Sequence, residues 1–164
     1  DTAQSMERIF VIEVMGNRSG YIAIQVAMGS GAEEVIIPER AFDFEALYCD
    51  IKEGSKKGKV SFIVVVAEGA GKAEDIAAKI TEVTGLETRY VVLGHVQRGG
   101  SPLAPDRILA TRLGVAAVEL LEKGIFGKAV GVFQGEINFI DLKDAIHREV
   151  KHIDEFRKLI RMLT

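Results

Sequence analysis

Residues 89–107, RYVVLGHVQRGGSPLAPDR, bring together side chains that can hold an oxyanion. The apolar run Tyr90–Leu93 reads as a buried strand. It ends in Gly94-His95, Gln97-Arg98 and Gly99-Gly100 before a helix opens at Pro105-Asp106. In a parallel α/β sheet, polar groups at the carboxyl end of a strand lie on the edge where ligands bind. A histidine with two arginines suits a phosphate monoester, because guanidinium meets phosphate oxygens as a bidentate fork. The alternative is a strand–turn–helix corner that carries surface cations.

Other loops carry candidate groups as well. Met15-Gly16-Asn17-Arg18-Ser19-Gly20 follows an apolar run and precedes a helix. Its glycines let a ligand approach the backbone, and a helix amino terminus offers unpaired N–H groups and positive dipole. With Arg18 this describes an anion cradle or, equally, a tight turn. Glu68, between Phe62–Ala67 and Gly69-Ala70-Gly71, can accept hydrogen bonds from sugar hydroxyls or stand as a solvated loop acid. Arg8 and Arg89 begin strands, at the end opposite these loops, where a solvated flank is the ordinary reading. Lys56-Lys57-Gly58-Lys59, the densest basic run, reads by itself as a solvated helix end. His147 and His152 have no acid or cysteine at metal-binding spacing and read as surface residues.

Alternating strands and helices must position these groups. Strands are predicted at Ile9–Val14, Val35–Ile37, Val60–Ala67, Thr88–Leu93 and Ala129–Phe133. Their continuous apolar character suits strands buried on both faces. Helices are predicted near Gly20–Met28, Asp43–Lys52, Lys72–Thr84, Pro105–Lys123 and Ile153–Met162. In the third helix Ile76, Ile80 and Val83 recur at helical spacing, with Gly85 placed to cap the end. In the fourth, Leu109, Leu113, Ala117 and Leu120 form one stripe between Pro105 and Gly124. The alternation predicts an α/β fold with a mainly parallel sheet and helices on both faces.

Composition sets bounds. The 164 residues carry 21 basic and 24 acidic side chains, a net charge of −3, which favours neither nucleic acid nor an anionic membrane. No apolar run approaches the ~20 residues that span a bilayer. Asp1-Thr2-Ala3-Gln4 has neither the basic nor the apolar region of a signal peptide. The one cysteine, Cys49, fits a reducing cytosol and is expected to pack on a helix face. The expectation is a soluble, cytoplasmic chain.

Nine positions of the nineteen-residue stretch, namely Arg89, Gly94-His95, Gln97-Arg98-Gly99-Gly100 and Asp106-Arg107, resemble the signature of the 6-phosphofructokinase family. Arg8–Gly16 with Gly20 beyond resembles the family's first strand and turn after its catalytic loop, and Phe62–Ala67 closed by Glu68 agrees in order and spacing. The resemblance is to the C-terminal portion of a bacterial-type, ATP-dependent enzyme. It implies a three-layer α/β/α fold in which 1–98 with 152–164 bind the sugar phosphate and 99–151 complete the nucleotide-binding domain.

It further implies phosphoryl transfer from ATP to the 1-hydroxyl of fructose 6-phosphate in glycolysis, with Mg2+ accompanying the nucleotide. The substrate residues implied are Arg8, Met15, Gly16, Asn17, Glu68, Arg89, His95, Val96, Gln97 and Arg98. Of these, Arg8 and Arg89 reach a neighbour's site in a homotetramer. Gly31, Ala32, Glu33, Lys57, Lys59, Val60 and Ser61 correspond to the pocket for an allosteric ADP or phosphoenolpyruvate, with Glu33 toward the effector's magnesium.

One departure stands out: the family's arginine directly after Met-Gly is here Asn17, with arginine one place later at Arg18. The family's catalytic base and its Gly-Gly-Asp-x-x-Gly phosphate loop have no counterpart in these residues. The expectation is a substrate-binding portion without a catalytic residue of its own, whose 99–148 stretch exposes an apolar face. The alternatives are a non-catalytic sugar-phosphate or effector-binding module, and part of a pyrophosphate-dependent paralogue.

Overall fold

A computed structural model describes residues 8–59, 61–146 and 153–163. The chain divides into two compact units, Asp1–Gln97 with Val150–Thr164 and Arg98–Glu149. The first unit is built on four parallel strands, β1 (Ile9–Val14), β2 (Glu34–Ile36), β3 (Phe62–Ala67) and β4 (Thr88–Val92), in the order β2-β3-β1-β4. Helices α1 (Tyr21–Ser30), α2 (Phe44–Lys56) and α3 (Ala73–Thr84) make the crossovers that parallel pairing requires, and α6 (Ile153–Leu163) joins them.

The alternation of side chains along β3 explains the layers. Phe62, Val64 and Val66 pack with Leu47 and Ile51 of α2 and Ile76, Ala77 and Ile80 of α3. Val65 and Ala67 pack on the other face with Ala23, Ile24 and Ala27 of α1 and Ile160 of α6. A strand buried on both faces reads as an unbroken apolar run, which is how FIVVVA was legible. This is the predicted parallel sheet flanked by helices on both sides.

The helix ends are closed by acids and left-handed residues. Asp43 Oδ1 accepts from the N–H groups of Glu45 and Ala46 at 3.0 and 3.1 Å, an N-cap for α2. Glu13 Oε2 reaches from β1 to the Ala73 N–H at 2.7 Å, so α3 starts on a carboxylate from the sheet. Gly85 ends α3 at φ 71°, as its position predicts.

Several expectations are corrected. β4 is the sheet's edge, paired with β1 alone, and its residues from Arg89 to Val92 are exposed rather than buried. The predicted strand at Ala129–Phe133 forms as β5 (Lys128–Phe133) but stays out of the parallel sheet. It pairs antiparallel with β6 (Glu136–Asp141), a strand the sequence reading lacked. Gln134 at φ 53° and Gly135 at φ 85° make the two-residue hairpin turn between them. Cys49 lies on α2 but is exposed, on the side away from the buried Leu47 and Ile51. The second unit also contains α4 (Ala104–Glu122) and α5 (Leu142–Ile146). His147 and His152 lie outside the described residues.

Candidate functional site

Because β1, β3 and β4 are parallel neighbours, the segments after Val14, Ala67 and Val92 emerge together at one sheet edge. Backbone bonds extend the ladders into them, from Glu68 N–H to the Val14 carbonyl at 3.0 Å and from Leu93 N–H to the Glu13 carbonyl at 3.1 Å. Glu68 then turns back over the first loop. Its Oε1 accepts from Gly16 N–H at 3.1 Å and Asn17 N–H at 2.6 Å. Gln97 Oε1 accepts from Met15 N–H at 2.5 Å, which ties the 3-10 turn Gly94–Gln97 to the same loop. Asn17 holds φ 52°, a left-handed conformation that asparagine tolerates better than most residues. Its carbonyl oxygen lies so close to Gly69 that a Cβ there would meet it at 1.9 Å.

The Asn17 and Gly16 N–H groups hold the Glu68 carboxyl below the usual glutamate range, against the opposing effect of lost hydration. The nearby His95 pushes the same way. Oε1 is thus committed to the loop. Among the described residues Oε2 receives no hydrogen bond. His95, Val96 and Arg98 are exposed, and Gln97 is half-buried.

Three amide groups of the first loop, those of Gly16, Asn17 and Gly20, are taken up within the chain. Gly20 N–H, at the start of α1, donates to both oxygens of Glu39 at 2.8 and 3.1 Å. With Gly16 and Asn17 donating to Glu68, the chain's own carboxylates take the amides an anion would use. What the loop presents outward is Arg18, exposed one residue beyond Asn17.

The opposite, amino edge gathers the remaining candidates. Arg8 Nε lies 2.8 Å from Glu87 Oε2, and Arg89 Nε lies 2.9 Å from Glu87 Oε1. Further along this edge Glu33 Oε1 pairs with Lys59 Nζ at 2.9 Å, and its Oε2 accepts from Ile63 N–H at 2.5 Å. A cavity of about 340 Å³ opens beside them, lined by Glu33, Asp50, Glu53, Lys57, Lys59 and Phe62 among others. Gly31 closes α1 at φ 69°, Ala32 is buried and Ser61 is half-buried. Val60 lies outside the described residues. Among the described residues no three metal-ligating side chains converge.

Sequence reasoning thus brought His95, Gln97, Glu68 and Met15–Asn17 to one edge, and the structure does the same. It missed Glu39 and Glu87. Glu87 had a signal: two places before Arg89, it shares that residue's side of the strand, and the β1–β4 register sets it opposite Arg8.

The geometry defines a parallel α/β protein with three loops gathered at the carboxyl edge of its sheet. Residues 1–121 match the family model described as phosphofructokinase, so the chain belongs to the phosphofructokinase family. It is 49% identical over 153 residues to an ATP-dependent 6-phosphofructokinase of Bacillus cytotoxicus, covering 93% of this chain and 47% of the relative. It is 48% identical over 146 residues to the protein of the same name from Clostridium acetobutylicum, covering 89% and 46%. The chain therefore spans about half the length of the curated relatives it matches. Phosphofructokinase from Saccharomyces cerevisiae superimposes with a TM-score of 0.77 at 32% identity, over 99% of this chain and 23% of that one. A pyrophosphate-dependent phosphofructokinase from Nitrosospira multiformis shares the fold, with a TM-score of 0.67 at 24% identity over 87% and 41%.

Proposed function

We propose that this chain is the fructose 6-phosphate-binding portion of a bacterial-type, ATP-dependent 6-phosphofructokinase, which passes the ATP γ-phosphoryl group to the sugar's 1-hydroxyl in glycolysis. One observation carries the reading: Glu68, the Met15–Asn17 loop, His95 and Gln97 meet at a single sheet edge. Glu68 Oε2 and the adjacent loop receive the sugar hydroxyls. His95 and Arg98 hold the 6-phosphate, and Arg8 and Arg89 serve the site of a neighbouring subunit in a homotetramer. Residues 1–98 with 152–164 form the sugar-phosphate domain, and 99–151 complete the nucleotide-binding one.

Phosphoryl transfer depends on positioning and on charge facing the equatorial oxygens. The base and the ATP phosphate loop have no counterpart in this sequence, so the chain binds substrate and does not by itself turn it over. Mg2+ arrives with the nucleotide. Glu33, Lys57 and Lys59 beside the amino-edge cavity take the phosphates of an allosteric ADP or phosphoenolpyruvate, with Glu33 toward that effector's magnesium. The ATP-dependent names of relatives near half identity favour ATP over pyrophosphate as donor. The setting is cytoplasmic, and no described helix is long and apolar enough to cross a membrane.

Calorimetric titration tests the reading, with fructose 6-phosphate as ligand and fructose as the control lacking phosphate. Heat from the phosphate ester alone is expected. Equal responses to both sugars, or none from a folded chain, would contradict it. Arg98→Ala is expected to weaken binding of the ester by about 1.5–3 kcal/mol, from loss of a charged hydrogen-bond partner. Unchanged affinity removes Arg98 from the pocket.

A further inference from the structure

We infer that Gly69 is a positioning residue for the sugar-phosphate site: the space left by its missing side chain seats the Asn17 carbonyl and so sets the Met15–Arg18 loop against Glu68. The inference rests on the sugar-phosphate reading above and adds to it a residue that does not itself touch the ligand. Strand order supplies the first argument. β3 and β1 are parallel neighbours, and the bond from Glu68 N–H to the Val14 carbonyl carries their ladder one residue past Ala67. Glu68 and Gly69 therefore emerge beside the loop that follows β1. Asn17, at φ 52°, turns both of its main-chain groups toward them. Its N–H donates to Glu68 Oε1 at 2.6 Å, and its carbonyl oxygen fills the place a Cβ on Gly69 would take. Two consecutive residues thus hold one residue of the loop.

The second argument is why a glycine stands here. Residues Ala67 to Ala70 close as a turn through a 2.8 Å bond from Ala70 N–H to the Ala67 carbonyl, and Gly69 holds no positive φ in it. Its backbone would accept an ordinary side chain; the neighbouring loop would not. A Cβ at Gly69 would overlap the Asn17 carbonyl oxygen and come within 3.0 Å of its carbon and 3.4 Å of Arg18 Cα. All three are main-chain atoms, which no change of rotamer can move aside. A methyl group at 69 must therefore lift the loop, and with it the two amides that Glu68 holds. Gly69 is exposed and belongs to neither core of the sheet, so the same methyl group leaves the packing of β3 in place.

The experiment compares the unsubstituted chain with Gly69→Ala. It reads fructose 6-phosphate and fructose affinity by calorimetry, the amide resonances of Gly16, Asn17 and β3, and the Glu68 carboxyl carbon across a pH series. In Gly69→Ala, affinity for the phosphate ester is expected to fall by about tenfold, from contacts misplaced rather than lost. The Gly16 and Asn17 resonances should move while those of β3 stay. The Glu68 carboxyl should titrate at higher pH, toward the ordinary glutamate range, because those two amides are the main causes that lower it. In the unsubstituted chain, proton cross-relaxation between Gly69 and Arg18 is expected, and its absence overturns the inference whatever the variant does. Undiminished ester affinity in Gly69→Ala overturns this inference alone, whether or not the loop moves. Weaker binding with the Gly16 and Asn17 resonances in place overturns it too, as does weaker binding in which the β3 resonances move as well, a general loss of fold. Equal affinity of the unsubstituted chain for ester and fructose overturns this inference and the sugar-phosphate reading together.

Discussion

At the scale of single residues, the arrangement turns on what a carboxylate does with each of its two oxygens. Glu68 spends Oε1 on the N–H groups of Gly16 and Asn17, so one side chain both fixes the first loop and keeps its second oxygen for the sugar hydroxyls of the proposed site. A glutamine here would keep an acceptor but lose the charge that strengthens both bonds. Glu68→Gln is therefore expected to weaken fructose 6-phosphate binding and to shift the Gly16 and Asn17 amide resonances together. Resonances that stay in place would disconnect Glu68 from the loop. The pH dependence follows from the lowered Glu68 pKa. A group whose folded pKa is depressed contributes stability that is present above its unfolded pKa and lost as pH falls through the folded one. The two amide resonances should hold from neutral pH down past the ordinary glutamate range. They should then move in a single acid step, which a pH series of amide spectra would follow. A step within or above the ordinary range would contradict the hydrogen bonds described.

At the scale of elements, carboxylates start helices and left-handed residues make turns. Asp43 satisfies two amides of α2, and Asp43→Ala is expected to cost about 1 kcal/mol in urea unfolding of the first unit. Gly135 sits at φ 85° in the hairpin turn, and Gly135→Ala should cost about 1–2 kcal/mol and weaken the β5–β6 pairing. Loss of protection in the β5 and β6 amides would report it. These elements also mark where sequence reading works. β1 and β3 were legible because strands buried on both faces are written as unbroken apolar runs. β4 is written the same way, and its exposed edge position depends on which strand lies beyond it, which no local pattern encodes. The hairpin escaped notice because its turn is Gln-Gly rather than the Asn-Gly or Asp-Gly that usually announces one. Glu39 and Glu13 cap helices from 19 and 60 residues away, a distance at which only the folded register brings partners together.

At the scale of the whole molecule, the two units bury their apolar side chains very differently. The first has a core on each face of its sheet, from Val11 and Val64 on one side to Val65 and Ile160 on the other. Among the described residues of the second, Leu120 alone is buried. Ile108, Val115 and Val118 of α4 and Phe133 and Phe139 of the hairpin are all at least 45% exposed. Burial of apolar surface is the dominant force that holds elements together. The second unit should therefore open at a small free-energy cost. Hydrogen exchange is expected to show β1 and β3 amides protected to the level of global unfolding, with α4, β5 and β6 amides exchanging at least about a hundredfold faster. The same exposed residues should drive self-association that grows with protein concentration and with added sulfate. Equal protection of both units in dilute solution, with no concentration dependence, would mean that the second unit is stabilised by contacts other than apolar burial.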